Sequence, residues 1–250
     1  GLVGSEMCIR DRQRRLMPNR DLSNYPIYGL NIPAREISGD FYDFYLHDDL
    51  VYFTLSDVSG KGVNAGMVMA KAITLFKIFS RLKFKPNEIL LEMNNDLNET
   101  NPPGTFITSI VGCYNIKTDI IEIANAGHQP ALLRKGKDFV EYSSSSTPLA
   151  VVKHKNENVY KLDTFKLDGG RIYCFTDGFS ECMDENKNEI GIDGVKKLLL
   201  NHQNSSLQKE LENSTEEIRL KSLKKDYKET GIKANNDILD DDLTIIGIGH

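Results

Sequence analysis

Four aspartates stand where apolar, strand-like segments run into turns: Asp40 in ISGDFYDF, Asp57 in LSDVSGKG, Asp177 in CFTDGFSE and Asp241 in LDDDLTII. A carboxylate is costly to bury within a strand, but at a strand end it can project into a cleft where a cation offsets its charge. A turn residue or helix cap accounts for any one of them alone. The same context repeated four times points instead to convergence on one edge of a sheet pair. An oxygen-only set, with no histidine or thiolate beside it, suits hard ions such as Mg2+ or Mn2+ rather than zinc or copper. Two such ions ~4 Å apart can share and acidify a water and clamp the attacking and leaving oxygens of a phosphoryl transfer.

The run LSDVSGKGVNAG (55–66) admits a second reading as a glycine-rich phosphate loop. The nucleotide-binding pattern G-x-x-x-x-G-K-[ST] is absent, because glycine follows Lys61 and no glycine stands five residues before Gly60. The glycines therefore read as a sharp turn that ends one strand and starts a helix, and Lys61 as a turn residue. Cys8, Cys113, Cys174 and Cys182 form no C-x-x-C pair, and His47, His128, His154, His202 and His250 are scattered. Buried free thiols in a reducing compartment fit better than zinc or a disulfide framework.

The elements that must position the aspartates follow from periodicity. Aromatic and β-branched runs predict strands over 27–34, 39–47 and 50–58, with a hairpin turn at His47–Asp48–Asp49. A helix should start near Asn64 and bury Val68, Ala72, Leu75, Phe79 and Leu82, with Met69, Ile73 and Phe76 widening the stripe. Pro86 opens a second helix with Ile89, Leu90, Met93 and Leu97 inward, closed before Pro102–Pro103–Gly104. Strands resume over 105–116, 120–127, 130–135, 159–167 and 171–178. A helical region begins near Gly191, a charged helix spans about 207–228 with a solvated face, and a last strand covers 243–249. Hairpin-length connections and segregated helices predict an α+β fold with mainly antiparallel sheets rather than a doubly wound one.

The 250 residues suffice for one sizeable core, and 40% hydrophobic with 27% charged residues is ordinary for a globular chain. A net charge of −5 disfavours nucleic acid as a partner. No uninterrupted apolar run reaches the ~20 residues of a membrane span, so no membrane contact is expected of this segment.

In order, ISGDFYDF, LSDVSGKGVNAGMVMA, FITSIVGCYNIKTDIIEIANAGHQPALL, CFTDGFSECMDENKNEIG and DDLT resemble the PPM-type metal-dependent serine/threonine protein phosphatases, in particular the bacterial SpoIIE/RsbU-like branch. Each motif is weak alone; five in family order, over about 14–249, are specific. The resemblance implies a four-layer α-β-β-α sandwich. It implies that Asp57 bridges two divalent ions, Mn2+ or Mg2+, with the backbone carbonyl of Val58 completing one coordination sphere. Asp40 would serve one ion and Asp177 and Asp241 the other. In the DDD run the ligand slot falls on Asp241, with Asp242 in the slot behind it and Asp240 an extra. The reaction implied is hydrolysis of a phosphoserine or phosphothreonine ester by water activated at the ions. Arg35, five residues before Asp40, matches a phosphate-binding arginine of many relatives and is equally a surface residue at a strand end. His128 in NAGHQP more readily braces a turn than acts as an acid. Ser38 stands where many relatives have glycine.

The branch implies a phosphorylated protein substrate, a small anti-sigma-factor antagonist in bacterial signalling, with homodimerisation among its switching modes. Residues 1–12 resemble translated adapter DNA and are expected to be non-native. Residues 13–24 read as the end of a connector to an upstream region, and 25–250 as a single phosphatase domain. The expected location is cytoplasmic, or tethered to a membrane through that upstream region. The alternative is a catalytically silent regulatory module of the same fold that binds the partner without turnover, which has no chemical need for four convergent carboxylates.

Overall fold

The computed structural model describes residues 16–18, 25–34, 37–184, 187–230, 239 and 241–250, with main chain only over 222–230. Among the described residues, ten strands form two five-stranded sheets. One orders β1 (Ile27–Ile32), β10 (Leu243–Ile248), β9 (Arg171–Phe175), β6 (Ala131–Lys135) and β7 (Asp138–Tyr142) side by side. The other orders β2 (Phe41–His47), β3 (Leu50–Val58), β4 (Ile107–Asn115), β5 (Ile120–Ala126) and β8 (Leu162–Lys166). Every strand pair is antiparallel.

Alternation along β3 shows how the layers arise. Val51, Phe53 and Leu55 point into a core shared with Ile172, Cys174 and Ile246 of the opposite sheet. Tyr52 and Val58 point the other way, into a core with α1 (Val63–Arg81) and α2 (Pro86–Thr100). On the outer face of the β1-containing sheet, Tyr173, Phe175 and Ile245 pack with α3 (Asp177–Ser180), α4 (Gly191–Asn201) and α5 (Leu207–Thr230). Three cores separate four layers, the α-β-β-α sandwich expected from the resemblance.

The helix predicted near Asn64 begins at Val63, and its Val68, Met69, Ala72, Ile73, Leu75 and Phe76 are buried. Leu82 is not part of that stripe: it lies past the helix end and is 60% exposed. The next residue, Lys83, takes a positive φ of 61°, which turns the chain away. Among the described residues α1 alone is long and apolar enough to cross a membrane, but Val68, Met69, Ala72, Ile73, Leu75 and Phe76 are committed to the core. The predicted strand over 159–167 is shortened to β8, a 3-10 turn occupying Glu157–Val159. β7 was not anticipated. It is an edge strand with only Phe139, Val140 and Tyr142 apolar. α5 has the predicted solvated face, with Lys209, Glu212, Glu216 and Lys221 exposed, but Glu210 on its other face is fully buried among charged partners. Of the expected connector, Leu16 accepts a hydrogen bond from Lys77 Nζ on α1 at 3.2 Å and Met17 packs against the helix-side core.

Candidate functional site

Two strand-end constructions meet at one edge of the sandwich. In the first, β3 and β4 pair to their ends, with Asp57 opposite Thr108 and Val58 opposite Ile107. Alternation puts Asp57 on the face of Val51, Phe53 and Leu55, towards the other sheet. The Val58 amide donates to the Gly39 carbonyl at 3.3 Å, which lays the loop before β2 along the end of β3. A Cβ at Gly39 would stand 2.8 Å from the Val58 carbonyl oxygen and 3.4 Å from Asp57 Oδ1. Glycine there keeps open the space that the carbonyl and the carboxylate share.

In the second, β9 runs into Thr176 and β10 starts at Leu243. The Thr176 amide donates to the Thr244 carbonyl at 3.0 Å, and the Thr244 amide donates to Thr176 Oγ1 at 3.2 Å. Gly178 presses on the Asp242 backbone so closely that a Cβ would fall 2.2 Å from its carbonyl oxygen. Asp177, the first residue of α3 rather than a residue of a simple turn, is thereby set beside Asp241 and Asp242. The Thr244 hydroxyl then donates to Asp40 Oδ2 at 2.8 Å and ties the two constructions together.

The electrostatics report the same convergence. Burial, then the charge of Asp57, pushes the buried Asp40 carboxyl well above the usual carboxylate range, against stabilising bonds from Thr176 and Thr244. Burial, then the charge of Asp177, raises Asp57 to about 6; a hydrogen bond with Asp40 opposes this, and Asp241 and Asp242 add to it. Burial, then the charge of Asp241, raises Asp177. Among the described residues no lysine, arginine or histidine pairs with Asp40, Asp57, Asp177 or Asp241. The carboxylates converge without closing into a cage: among the described residues no three His, Cys, Asp or Glu side chains stand at the spacing of a single coordination sphere. Repulsion between uncompensated like charges favours that spacing. The donor set is oxygen-only, open at Gly39 and anionic, and it fits hard divalent cations.

The tandem aspartates divide their labour. Asp242 is buried, and both its oxygens accept hydrogen bonds, Oδ1 from the Ala34 amide at 2.7 Å and Oδ2 from Ser38 Oγ at 2.6 Å. It clasps the loop before β2 to the start of β10. Asp241 is exposed, and its Oδ1 receives only the Asp242 amide at 2.8 Å. The clasp and the Thr176–Thr244–Asp40 link were not anticipated. A hint was legible in Thr244, which alternates with the apolar Ile246 and Ile248 and so must face the other sheet.

His128 is buried, its Nδ1 2.7 Å from Thr108 Oγ1 and its amide donating to Asn125 Oδ1 at 2.8 Å. Burial lowers its pKa to about 4, so the ring is neutral and braces the end of β4 beside Asp57. Lys61 lines the cleft with Asp57, Gly60 and Asp241. Arg35 and Asp240 lie outside the described residues.

An antiparallel α-β-β-α sandwich with an acidic cluster at one sheet edge defines the class of the protein as the fold of PP2C phosphatase domains. The structure superposes on the SiaA-PP2C domain of Pseudomonas aeruginosa with a TM-score of 0.81 at 18% identity, covering 100% of this chain and 96% of that one. It superposes on RsbX, solved in complex with magnesium, with a TM-score of 0.61 at 16% identity, covering 90% and 94%. In sequence it is 26% identical over 187 residues to the phosphoserine phosphatase RsbU of Bacillus subtilis (strain 168), covering 75% of this chain and 56% of RsbU. The chain thus spans about half the length of that relative. The profile of the family described as Stage II sporulation protein E (SpoIIE) matches residues 47–250, and the chain belongs to that family.

Proposed function

We propose that this chain is a divalent-metal-dependent phosphatase of phosphoserine or phosphothreonine in proteins. The observation that carries the reading is the set of buried and half-buried, mutually repelling carboxylates at the sandwich edge, with pKa values raised and no cationic side chain among the described residues paired with them. Structural carboxylates acquire partners; an uncompensated cluster is kept for a ligand. Asp57 with the Val58 carbonyl would hold the centre, Asp40 one flank, and Asp177 with Asp241 the other. Two Mg2+ or Mn2+ ions bound there would acidify a water and offset charge on the phosphoryl oxygens. Asp242 and Ser38 keep the loop before β2 in place, Thr244 orients Asp40, and Gly39 leaves room at Asp57. Arg35 would add a contact to the phosphate. No cysteine or serine nucleophile is needed, in keeping with Cys113, Cys174 and Cys182 being buried free thiols.

The sequence likeness to the phosphoserine phosphatase RsbU supports a phosphorylated protein substrate, which we take to be a small anti-sigma-factor antagonist in the bacterial cytoplasm. A homodimer is part of the same reading. The test is hydrolysis of p-nitrophenyl phosphate and of a phosphoserine protein with Mn2+, with EDTA, and with Asp57→Asn and Asp177→Asn. Turnover should require the ion and collapse in both variants. Metal-independent turnover or unchanged variants would refute the two-ion reading, and a silent protein on a phosphorylated partner would favour a non-catalytic module.

A further inference from the structure

Lys61 has no role in the site as built above, yet it stands on its wall. It occupies the tip of the turn between β3 and α1, flanked by Gly60 at φ 96° and Gly62 at φ 77°. Nothing lies within 4 Å of where a Cβ would project from either glycine. Lys61 is the sole lysine or arginine among the described residues lining the carboxylate cleft. Several lysines elsewhere are committed, Lys77 to buried Asp43, Lys71 to Asp96 and Lys196 to Glu141, and none of these lines the cleft. Lys61 is exposed and, among the described residues, takes no hydrogen bond or ion pair, even beside Asp57 and Asp241.

We propose that the Lys61 ammonium is a phosphate-binding group of this site, contacting the non-bridging oxygens of the substrate phosphoester and of the product phosphate. The inference rests on the phosphatase reading above. An ammonium on a flexible stem is a good point-charge partner for phosphate. A lysine locked to a carboxylate would have to give up that partner for each substrate, whereas Lys61 has none to release. The strand-end Asp57, four residues earlier, is fixed by pairing with β4, so Lys61 can swing toward a ligand without disturbing the carboxylates.

The test compares wild type, Lys61→Gln and Lys61→Arg in Mn2+. Steady-state kinetics on p-nitrophenyl phosphate give KM and kcat. Calorimetry gives the affinity of the Mn2+-loaded protein for inorganic phosphate and of the metal-free protein for Mn2+. Lys61→Gln should raise KM and the phosphate Kd by about 5-fold, the size expected of a charged hydrogen bond discounted for solvent exposure. It should leave Mn2+ affinity within about 2-fold, and Lys61→Arg should recover most of the loss. Unchanged KM and phosphate Kd in Lys61→Gln would overturn the assignment, as would a loss of Mn2+ affinity as large as the loss of phosphate affinity. A wild-type protein without Mn2+-dependent turnover would instead refute the phosphatase reading itself.

Discussion

Two acidic sites in this fold are built to opposite specifications. On the outer face of the β1-containing sheet, Glu210 of α5 is fully buried and fully answered. Arg134 Nη2 reaches its Oε2 at 3.2 Å, Arg171 pairs with the same oxygen, and Tyr173 Oη donates to Oε1 at 2.8 Å. At the sandwich edge, Asp40, Asp57 and Asp177 have one another for company and hydroxyls and amides for partners, but among the described residues no cationic side chain is paired with them. The chain thus carries the means to compensate a buried carboxylate and applies it only where the carboxylate is structural. The acidic edge is left in debt to a ligand.

The sharpest way to break this contrast is to neutralise one member of each cluster. Asp57→Asn should cut phosphatase turnover by about three orders of magnitude, the several kcal/mol of transition-state stabilisation lost with a bridging ion site. The same variant should be more stable than wild type in EDTA, because it removes repulsion. Glu210→Ala should do the reverse. It strands two arginines and should cost about 3–5 kcal/mol in urea unfolding, with turnover per folded molecule retained.

Acidity separates the two sites further. Asp57 has a folded pKa near 6 against 3.8 for an ordinary aspartate, so the folded metal-free protein holds that proton more tightly than the unfolded chain. The resulting stability is complete below about pH 4 and is lost as pH rises through about 6. Thermal melts in EDTA should show wild type falling relative to Asp57→Asn across that window, by about 1–3 kcal/mol, and saturating Mn2+ should abolish the trend. The finest test lies within the tandem pair. Asp242→Ala should lower unfolding stability by about 1–3 kcal/mol by orphaning the Ala34 amide and removing the carboxylate that Ser38 Oγ donates to. Asp241→Ala should leave stability within about 0.5 kcal/mol and raise the Mn2+ concentration needed for activity.

The acidic edge was more legible in the sequence than its structural counterpart, for a physical reason. Asp40 and Asp57 lie beside the ends of strands whose alternation and turn residues are local, and β3 spans the expected 50–58. Glu210 sits in a run of alternating charges that suits a solvated helix face equally well; only the tertiary approach of Arg134 and Arg171 marks it as buried. The split between Asp241 and Asp242 is set by which way the chain faces as β10 begins, a choice that a slip of one residue reverses and that identical neighbours conceal. β7 escaped notice because an edge strand paired only with β6 can be largely polar. The loop-to-β10 clasp depends on residues more than 200 positions apart, such as Ser38 and Asp242, and no local pattern encodes it.

Edge carboxylates held for divalent cations must bind them in the metal-free protein. Calorimetric titration of Mn2+ into the metal-free protein at neutral pH, with Asp57→Asn and Glu210→Gln alongside, tests it most directly. Wild type should bind two ions per chain, Asp57→Asn at least one fewer, and folded Glu210→Gln as many as wild type. Absence of Mn2+ binding to wild type at millimolar concentration, or equal binding by Asp57→Asn, would contradict it.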